Sequence, residues 1–247
     1  KHDQRVVETD LLVNMARLDR TLADLLAHVD EKVGLDNTLI VLSADHGQPE
    51  VPGHLHERGI KDAHHFDTDA LDKTPAIEAL KKRFGIGEEL IQTYSQPYLY
   101  LNYEVISEQG LDQADVEAAV AAELEKFKGV AAAVSSTALR TASLPDTLLM
   151  RSILRNFHPK RSGDIYLVFE PNVFINDFDG LVVASTHGSP WQYDRHVPVI
   201  FAGAGVPAAT VQRQVTPYDI APTLAALLGV KPPSGAMGEV LPEVFPR

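Results

Sequence analysis

The stretch NTLIVLSADHG, residues 37–47, carries the strongest fold signal in the chain. Thr38–Leu42 is a short apolar run rich in β-branched residues, which predicts a strand covered on both faces. Asp45, His46 and Gly47 follow where that strand should end. Ligands of open parallel α/β sheets bind beyond the carboxyl ends of the strands. We therefore interpret the carboxylate and the imidazole as half of a divalent-cation site, with a capped surface loop as the alternative.

A second junction of the same kind lies far away in the sequence. Val182–Ala184 is predicted to end a strand, THGSP follows at residues 186–190, and Val197–Phe201 is predicted to form the next strand. Two strand-to-loop junctions that each carry a His-Gly pair can converge at one edge of a sheet. Trp191 and Tyr193, in the connecting loop, are expected to line the site or to cover its wall.

Several motifs occur in an order that resembles the alkaline phosphatase superfamily, and in particular its zinc-dependent, phosphate-irrepressible bacterial enzymes. The first motif is DHG, and the second is THGSPWQYDRHVPVIFAG at residues 186–203. The resemblance extends to RLDRTLADLL at 17–26, NFHPKRSGDIYLVFEP at 156–171 and VTPYDIAPTLAALLGVKPPSGAMGEVL at 215–241. It covers nearly the whole chain and implies an α/β fold with a mostly parallel sheet flanked by helices and a smaller α/β cap subdomain.

The resemblance also implies a set of metal ligands. Asp45 and His46 would bind the metal ion that activates the nucleophile, and His187 would bind the metal ion at the leaving group. His2 stands near the position of a further family histidine, although Lys1 replaces the Gly that usually precedes it. The resemblance implies two zinc ions. Nitrogen and oxygen donors without Cys suit Zn²⁺, with Mn²⁺ as an alternative. The catalytic Thr or Ser of the family lies upstream of the DHG strand, so the resemblance implies a nucleophile outside this chain.

Composition limits the possible partners. The 247 residues are 45% hydrophobic and 23% charged, which is typical of a globular chain. The net charge of −12 argues against a nucleic-acid-binding surface. It does not argue against small phosphate esters, because bound metal ions reverse the local field. No apolar run approaches the roughly 18 residues of a membrane-spanning helix, and the absence of Cys excludes disulfides.

The order of elements predicts three parts, at residues 1–72, 73–160 and 161–247. The first contains an amphipathic helix over Thr9–Val33 and the DHG strand. The second, with helices and strands alternating between 75 and 155, is predicted to be the cap. The third contains a strand at Asp164–Glu170, a loop at Asn172–Leu181, the THG junction and a C-terminal helix over Ile220–Leu228.

The segment Gln48–Asp72 is rich in histidine, with His54, His56, His64 and His65. A third metal site is one interpretation of this composition. The other, which we favour, is a loop that leads into the cap.

Three functions remain open at this point. The first is hydrolysis of phosphate monoesters through a covalent phosphoenzyme on the upstream Thr or Ser. The second keeps the fold but acts on phosphodiesters or nucleotide pyrophosphates, and the third is a folded, inactive fragment. The resemblance further implies a periplasmic or secreted enzyme.

Overall fold

The computed structural model describes residues 4–178 and 180–246. Contacts within the chain define two compact units: one contains the residues up to Asp45 together with those from Val197 onward, and the other contains His46–His196. The predicted division into parts at 1–72, 73–160 and 161–247 stays a prediction. The two units are defined by contacts within the chain, and such units need not coincide with a core domain and its cap.

The described part of the chain contains both helices and strands, as an α/β chain should. The α-helices are α1 (Gln4–Lys32), α2 (Pro52–Glu57), α3 (Pro75–Phe84), α4 (Tyr103–Glu108), α5 (Gln113–Leu124), α6 (Ser136–Thr141), α7 (Leu148–Asn156), α8 (Gln192–Arg195) and α9 (Ile220–Leu227). Short 3-10 helices occupy Leu35–Asn37, Leu71–Lys73, Pro217–Asp219 and Pro242–Val244. None of the described helices is long and apolar enough to cross a membrane.

The strands are mostly short. They are β1 (Leu39–Ser43), β2 (His64–His65), β3 (Ile91–Ser95), β4 (Tyr98–Leu101), β5 (Val130–Ser135), β6 (Ile165–Phe169), β7 (Val173–Phe174), β8 (Asp177–Phe178), β9 (Leu181–Val182) and β10 (Val199–Gly203). The predicted loop at Asn172–Leu181 therefore contains strand segments. They were missed because each is only two residues long and shows no periodicity.

The unit of residues 46–196 is built around one four-stranded sheet with the order β3-β4-β6-β5. Every residue of its inner strand β6 is buried. Ile165, Leu167 and Phe169 pack into one apolar cluster with residues of α3 and α5. Tyr166 and Val168 pack into a second cluster with residues of α6 and α7. The alternation follows the two-residue period of a strand, so helices cover both faces of the sheet.

The other unit contains the pair β1–β10, in which Leu39 stands opposite Gly203 and Ser43 opposite Val199. Its C-terminal part is organised by the buried carboxylate of Asp219. That carboxylate accepts hydrogen bonds from Thr216 N at 2.8 Å, from Thr216 Oγ1 at 3.1 Å and from Glu239 N at 2.8 Å. Asp219 thus joins the start of α9 to the tail of the chain.

Two details of the predicted sheet are wrong for this part of the molecule. The strand pairs here are antiparallel, apart from β2–β7. Two residues connect β3 to β4, and so short a link permits only antiparallel neighbours. In addition, β1 is not covered on both faces, because Leu42 is 47% exposed in a sheet of two strands.

The helix predictions are largely correct. The helix predicted at Thr9–Val33 is α1, which ends at Lys32 before Gly34, whose φ of 85° no other residue type adopts readily. The helix predicted at Ile220–Leu228 is α9, one residue shorter at its end. The segment Gln48–Asp72 is not only a loop, because it includes α2 and β2.

Candidate functional site

The two predicted His-Gly pairs lie together in the unit of residues 46–196. The imidazole rings of His46 and His187 stack with 3.4 Å between their centroids and an interplanar angle of 12°. They are 141 positions apart in the sequence, so the stacking depends on the fold and not on local structure. Asp45 precedes His46 directly in the chain and is the last residue of the first segment of the other unit. His2 lies outside the described residues.

The DHG turn is held by the loop that follows the THG turn. Gly47 N donates a hydrogen bond to the backbone oxygen of Asp194 at 2.7 Å. A Cβ atom added to Gly47 would lie 2.0 Å from the backbone oxygen of Tyr193. Gly47 is therefore required by the close approach of two backbones, and not by the left-handed turn that Gly often provides.

Side chains reinforce the contact between the DHG turn and the THG turn, which we call the junction from here on. Gln48 Nε2 donates to Ser185 Oγ at 2.7 Å, and Ser185 Oγ donates to the backbone oxygen of Pro49 at 3.0 Å. The residues that follow His46 are thus bonded to those that precede His187, which keeps the two turns in register.

The THG turn has its own supports on the central sheet. Gln96 Nε2 donates to the backbone oxygen of His187 at 2.6 Å. Gly188 has a φ of 107°, a backbone conformation that is strained for any residue with a Cβ. Further along, Trp191 Nε1 donates to the backbone oxygen of Phe169, at the end of β6, at 2.9 Å. These bonds fix the loop to the link between β3 and β4 and to the end of β6.

A small cavity of about 30 Å³ lies beside His187, and Tyr94, Gln96, Phe169 and Asp194 are among its lining residues. Burial raises the pKa of Tyr94. Burial also raises the pKa of Tyr193, which accepts a hydrogen bond from Asn172 N and so opposes part of the shift. Both phenols are therefore uncharged at neutral pH, and Asp194 supplies a carboxylate within the lining.

The donor chemistry of this junction fits a zinc site in part. Two imidazoles in contact, next in sequence to a carboxylate, are nitrogen and oxygen donors of the kind that zinc binds. Among the side chains that the structure describes, at residues 12–177 and 180–246, no group of three or more His, Cys, Asp or Glu is arranged to hold an ion. The described residues thus provide a partial ligand set.

The other histidines of residues 48–72 do not join this junction. His56 Nε2 is 2.6 Å from the backbone oxygen of Ala63, and His64 Nδ1 is 2.7 Å from that of Asp62. His54 Nε2 is 2.9 Å from a carboxylate oxygen of Glu50. His65 Nε2 is 3.2 Å from the backbone oxygen of Ala184. Different partners hold these rings, which favours the structural interpretation over a third metal site.

Two residues of the junction were not recognised in the sequence. Gln96 gives no local signal, because its role depends on the distant backbone of His187. Asp194 does give one: it is a carboxylate between Tyr193 and the apolar run that begins at Val197, within the stretch that resembles the family. A charged residue in such surroundings needs a polar partner if it is buried.

Comparison with known proteins extends this picture. A family model described as type I phosphodiesterase / nucleotide pyrophosphatase matches residues 2–190. The chain is 37% identical over 229 residues to a protein named calcium-transporting ATPase from Myroides odoratus, covering 93% of this chain and 41% of that protein. It is 33% identical over 239 residues to alkaline phosphatase PafA from Elizabethkingia meningoseptica, covering 94% and 41%.

Solved structures agree with these sequence matches. The crystal structure of wild-type alkaline phosphatase PafA superposes with a TM-score of 0.78 at 31% identity, covering 93% of this chain and 42% of that one. The chain spans about two-fifths of the length of these relatives. Its fold is the mixed α/β fold of alkaline phosphatase PafA, and the chain belongs to the type I phosphodiesterase / nucleotide pyrophosphatase family of the alkaline phosphatase superfamily.

Proposed function

We propose that this chain is part of a two-zinc hydrolase of phosphate monoesters. The observation that carries the proposal is the stacking of His46 and His187, because it joins the two turns on which the family resemblance rests. Relatives named alkaline phosphatase support the reaction class. The substrates in this proposal are small phosphate esters, and net charge −12 disfavours nucleic acid as a partner.

In this proposal, Asp45 and His46 would hold the ion at the nucleophile, and His187 would hold the ion at the leaving group, with His2 as a further ligand. Bound zinc would supply positive charge for the phosphate oxygens and lower the pKa of a coordinated hydroxyl. The nucleophile is assigned to a Thr or Ser upstream of this chain, where a covalent phosphoenzyme would form. No nucleophile is assigned to the residues described.

The residues of this chain act by positioning the imidazoles of His46 and His187. The Gly47–Asp194 and Gln96–His187 hydrogen bonds fix the two turns, so both imidazoles are presented in a defined orientation before substrate arrives. Preorganised ligands lose little freedom on binding an ion, which supports affinity and rate.

The proposal is tested by zinc content and by hydrolysis of p-nitrophenyl phosphate. We expect about two zinc ions per protein molecule and activity that is lost on chelation. Replacing His46 or His187 by Ala should weaken zinc binding by more than about tenfold. The matched control is His158→Ala, which removes an exposed imidazole from the same unit and should change neither quantity.

Protein that binds no zinc, or activity that resists chelation, would contradict the proposal. Zinc binding without any hydrolysis would instead favour the folded, inactive fragment.

A second candidate is hydrolysis of phosphodiesters or nucleotide pyrophosphates, which the description of the matching family model favours. The ratio of kcat/KM values for p-nitrophenyl phosphate and bis-p-nitrophenyl phosphate separates the two. A ratio well above one supports the monoesterase, and a ratio below one supports the diesterase.

The resemblance also leads us to propose a periplasmic or secreted location. Fractionation of the native cells, with the protein followed by antibody, would test it: recovery in the cytosolic fraction would contradict the proposal.

A further inference from the structure

The carboxylate of Asp194 is the most unusual polar group at the junction. Its residue is only 4% exposed. Oδ2 accepts a hydrogen bond from Ser189 N at 2.8 Å. Among the residues that the structure describes, Oδ1 has no hydrogen-bond partner and is buried. A buried carboxylate oxygen without a donor is costly, so a donor that the described residues do not supply is expected at this atom.

Asp194 also contacts both histidine-bearing turns. Its backbone oxygen accepts the hydrogen bond from Gly47 N, the residue after His46. Its side chain holds Ser189 N, two residues after His187. One residue therefore connects the supports of the two imidazoles.

The small cavity beside His187 also adjoins Asp194. Both residues line it, and its volume of about 30 Å³ is sufficient for one or two water molecules.

We propose that Asp194 is a positioning residue for His187. Through one water in this cavity, Oδ1 accepts a hydrogen bond that originates at an imidazole N–H of His187, while Oδ2 keeps the turn in place through Ser189. The bond selects one tautomer of His187 and leaves the opposite ring nitrogen unprotonated for an ion. The role extends the proposed function, on which it rests, because carboxylates commonly orient metal-binding histidines in this way.

The test is Asp194→Asn in the purified protein. Asn keeps the shape, the backbone bond to Gly47 and one acceptor for Ser189 N, but it replaces the second oxygen by an NH₂ donor. Zinc affinity is measured by competition with a chromophoric chelator, and the His187 tautomer by two-bond ¹H–¹⁵N NMR. We expect affinity to fall about 10- to 100-fold and the single tautomer of the wild type to become a mixture.

The matched control is Asp219→Asn, which alters a buried carboxylate of the other unit with structural partners only. It should lower the melting temperature but leave zinc affinity and the His187 tautomer unchanged. If Asp194→Asn binds zinc as the wild type does and keeps one tautomer, the positioning role is wrong.

The tautomer measurement separates this inference from the proposed function. Wild-type protein that binds no zinc would overturn the proposed function, whereas a single His187 tautomer that is lost in Asp194→Asn would still support the positioning role. If that variant does not fold, a high-resolution crystal structure of the wild type decides. A water bonded to both Asp194 Oδ1 and a ring nitrogen of His187 supports the inference, and Oδ1 bonded elsewhere overturns it.

Discussion

At the scale of single residues, Gly47 shows how a backbone contact limits the sequence. The structure requires Gly at this position because the Tyr193 carbonyl oxygen approaches to within 2.0 Å of where a Cβ atom would lie. No periodicity or composition reveals such an approach, because it depends on a segment 146 positions away.

Gly47→Ala is therefore expected to be harmful. The methyl group must push the 193–194 backbone away, which breaks the hydrogen bond from Gly47 N and separates the His46 and His187 rings. We expect a loss of about 1–3 kcal/mol in the free energy of unfolding, together with weaker zinc binding. Urea denaturation and zinc competition measure the two effects.

Gly53→Ala provides the comparison, because a Cβ atom at Gly53 meets nothing within 4 Å and the residue lies in α2. Its stability should stay the same or rise by about 0.4–1 kcal/mol. Equal stability losses in the two variants would mean that the contact with Tyr193 is not what limits position 47.

Asp219 gives a pH dependence whose sign follows from its contacts. Burial opposes its charge, but hydrogen bonds from Thr216 and Glu239 outweigh burial and lower the pKa of the carboxyl group. A lowered pKa in the folded state stabilises the fold above the ordinary pKa and loses that contribution as pH falls through the folded value.

The wild-type protein should therefore lose stability as pH falls below about 4, and Asp219→Asn should lose less over the same range. Urea unfolding between pH 3 and 7 measures the difference. Glu88→Gln, at an exposed carboxylate, should follow the wild-type profile. A profile for Asp219→Asn that is parallel to the wild type would contradict the assignment.

At the scale of elements, β6 and β1 differ in how far their apolar side chains are buried, and so in how much each side chain contributes to the free energy of unfolding. Leu167 in β6 is 2% exposed, whereas Leu42 in β1 is 47% exposed. Leu167→Ala should lower the free energy of unfolding by about 2–5 kcal/mol. Leu42→Ala should cost less than about 1 kcal/mol, since truncating a half-exposed side chain removes less buried area.

Chemical denaturation measures the loss in the free energy of unfolding for both variants. The comparison is matched, because both replace a Leu in a strand by Ala. Similar losses would mean that Leu42 is covered in the folded protein by something outside the described residues.

Helices and the inner strands could be predicted from the sequence, because their signals are local and repeated over many residues. The apolar spacing of α1, the cap residues of α5 and the apolar run of β6 are of this kind. Strand partners could not be predicted, since the antiparallel pairing of β1 with β10 joins residues about 160 positions apart. His46 and His187 could be suggested because each stands in a local His-Gly motif. Gln96 and Asp194 were missed because their roles depend on contacts between distant parts of the chain.

At the scale of the whole molecule, the two units differ in how much core they contain. Both apolar clusters lie in residues 46–196, on the two faces of the four-stranded sheet. In the other unit, by contrast, apolar side chains of α1 such as Leu12 and Met15 are exposed. A continuous segment with its own core should be able to fold alone.

We therefore expect a polypeptide of residues 46–196 to fold independently. Circular dichroism should show mixed helix and strand, and heating should give one cooperative transition. A companion polypeptide that ends at residue 189 lacks Asp194 and Trp191, so it should be less stable. Non-cooperative melting of the 46–196 polypeptide would show that its core depends on the remainder of the protein.

The hydrogen bond between Gly47 and Asp194 has a consequence for the connectivity of this segment. It places the beginning and the end of residues 46–196 side by side, so the segment forms a closed loop of chain. A short linker could join these ends, and new termini could be opened in the exposed residues 141–143 without altering the order of the sheet. Neighbouring ends also allow a module to be inserted into another chain at one point. The hydrogen bond between Gly47 and Asp194 thus makes residues 46–196 a segment that can be circularly permuted or inserted elsewhere without separating its ends.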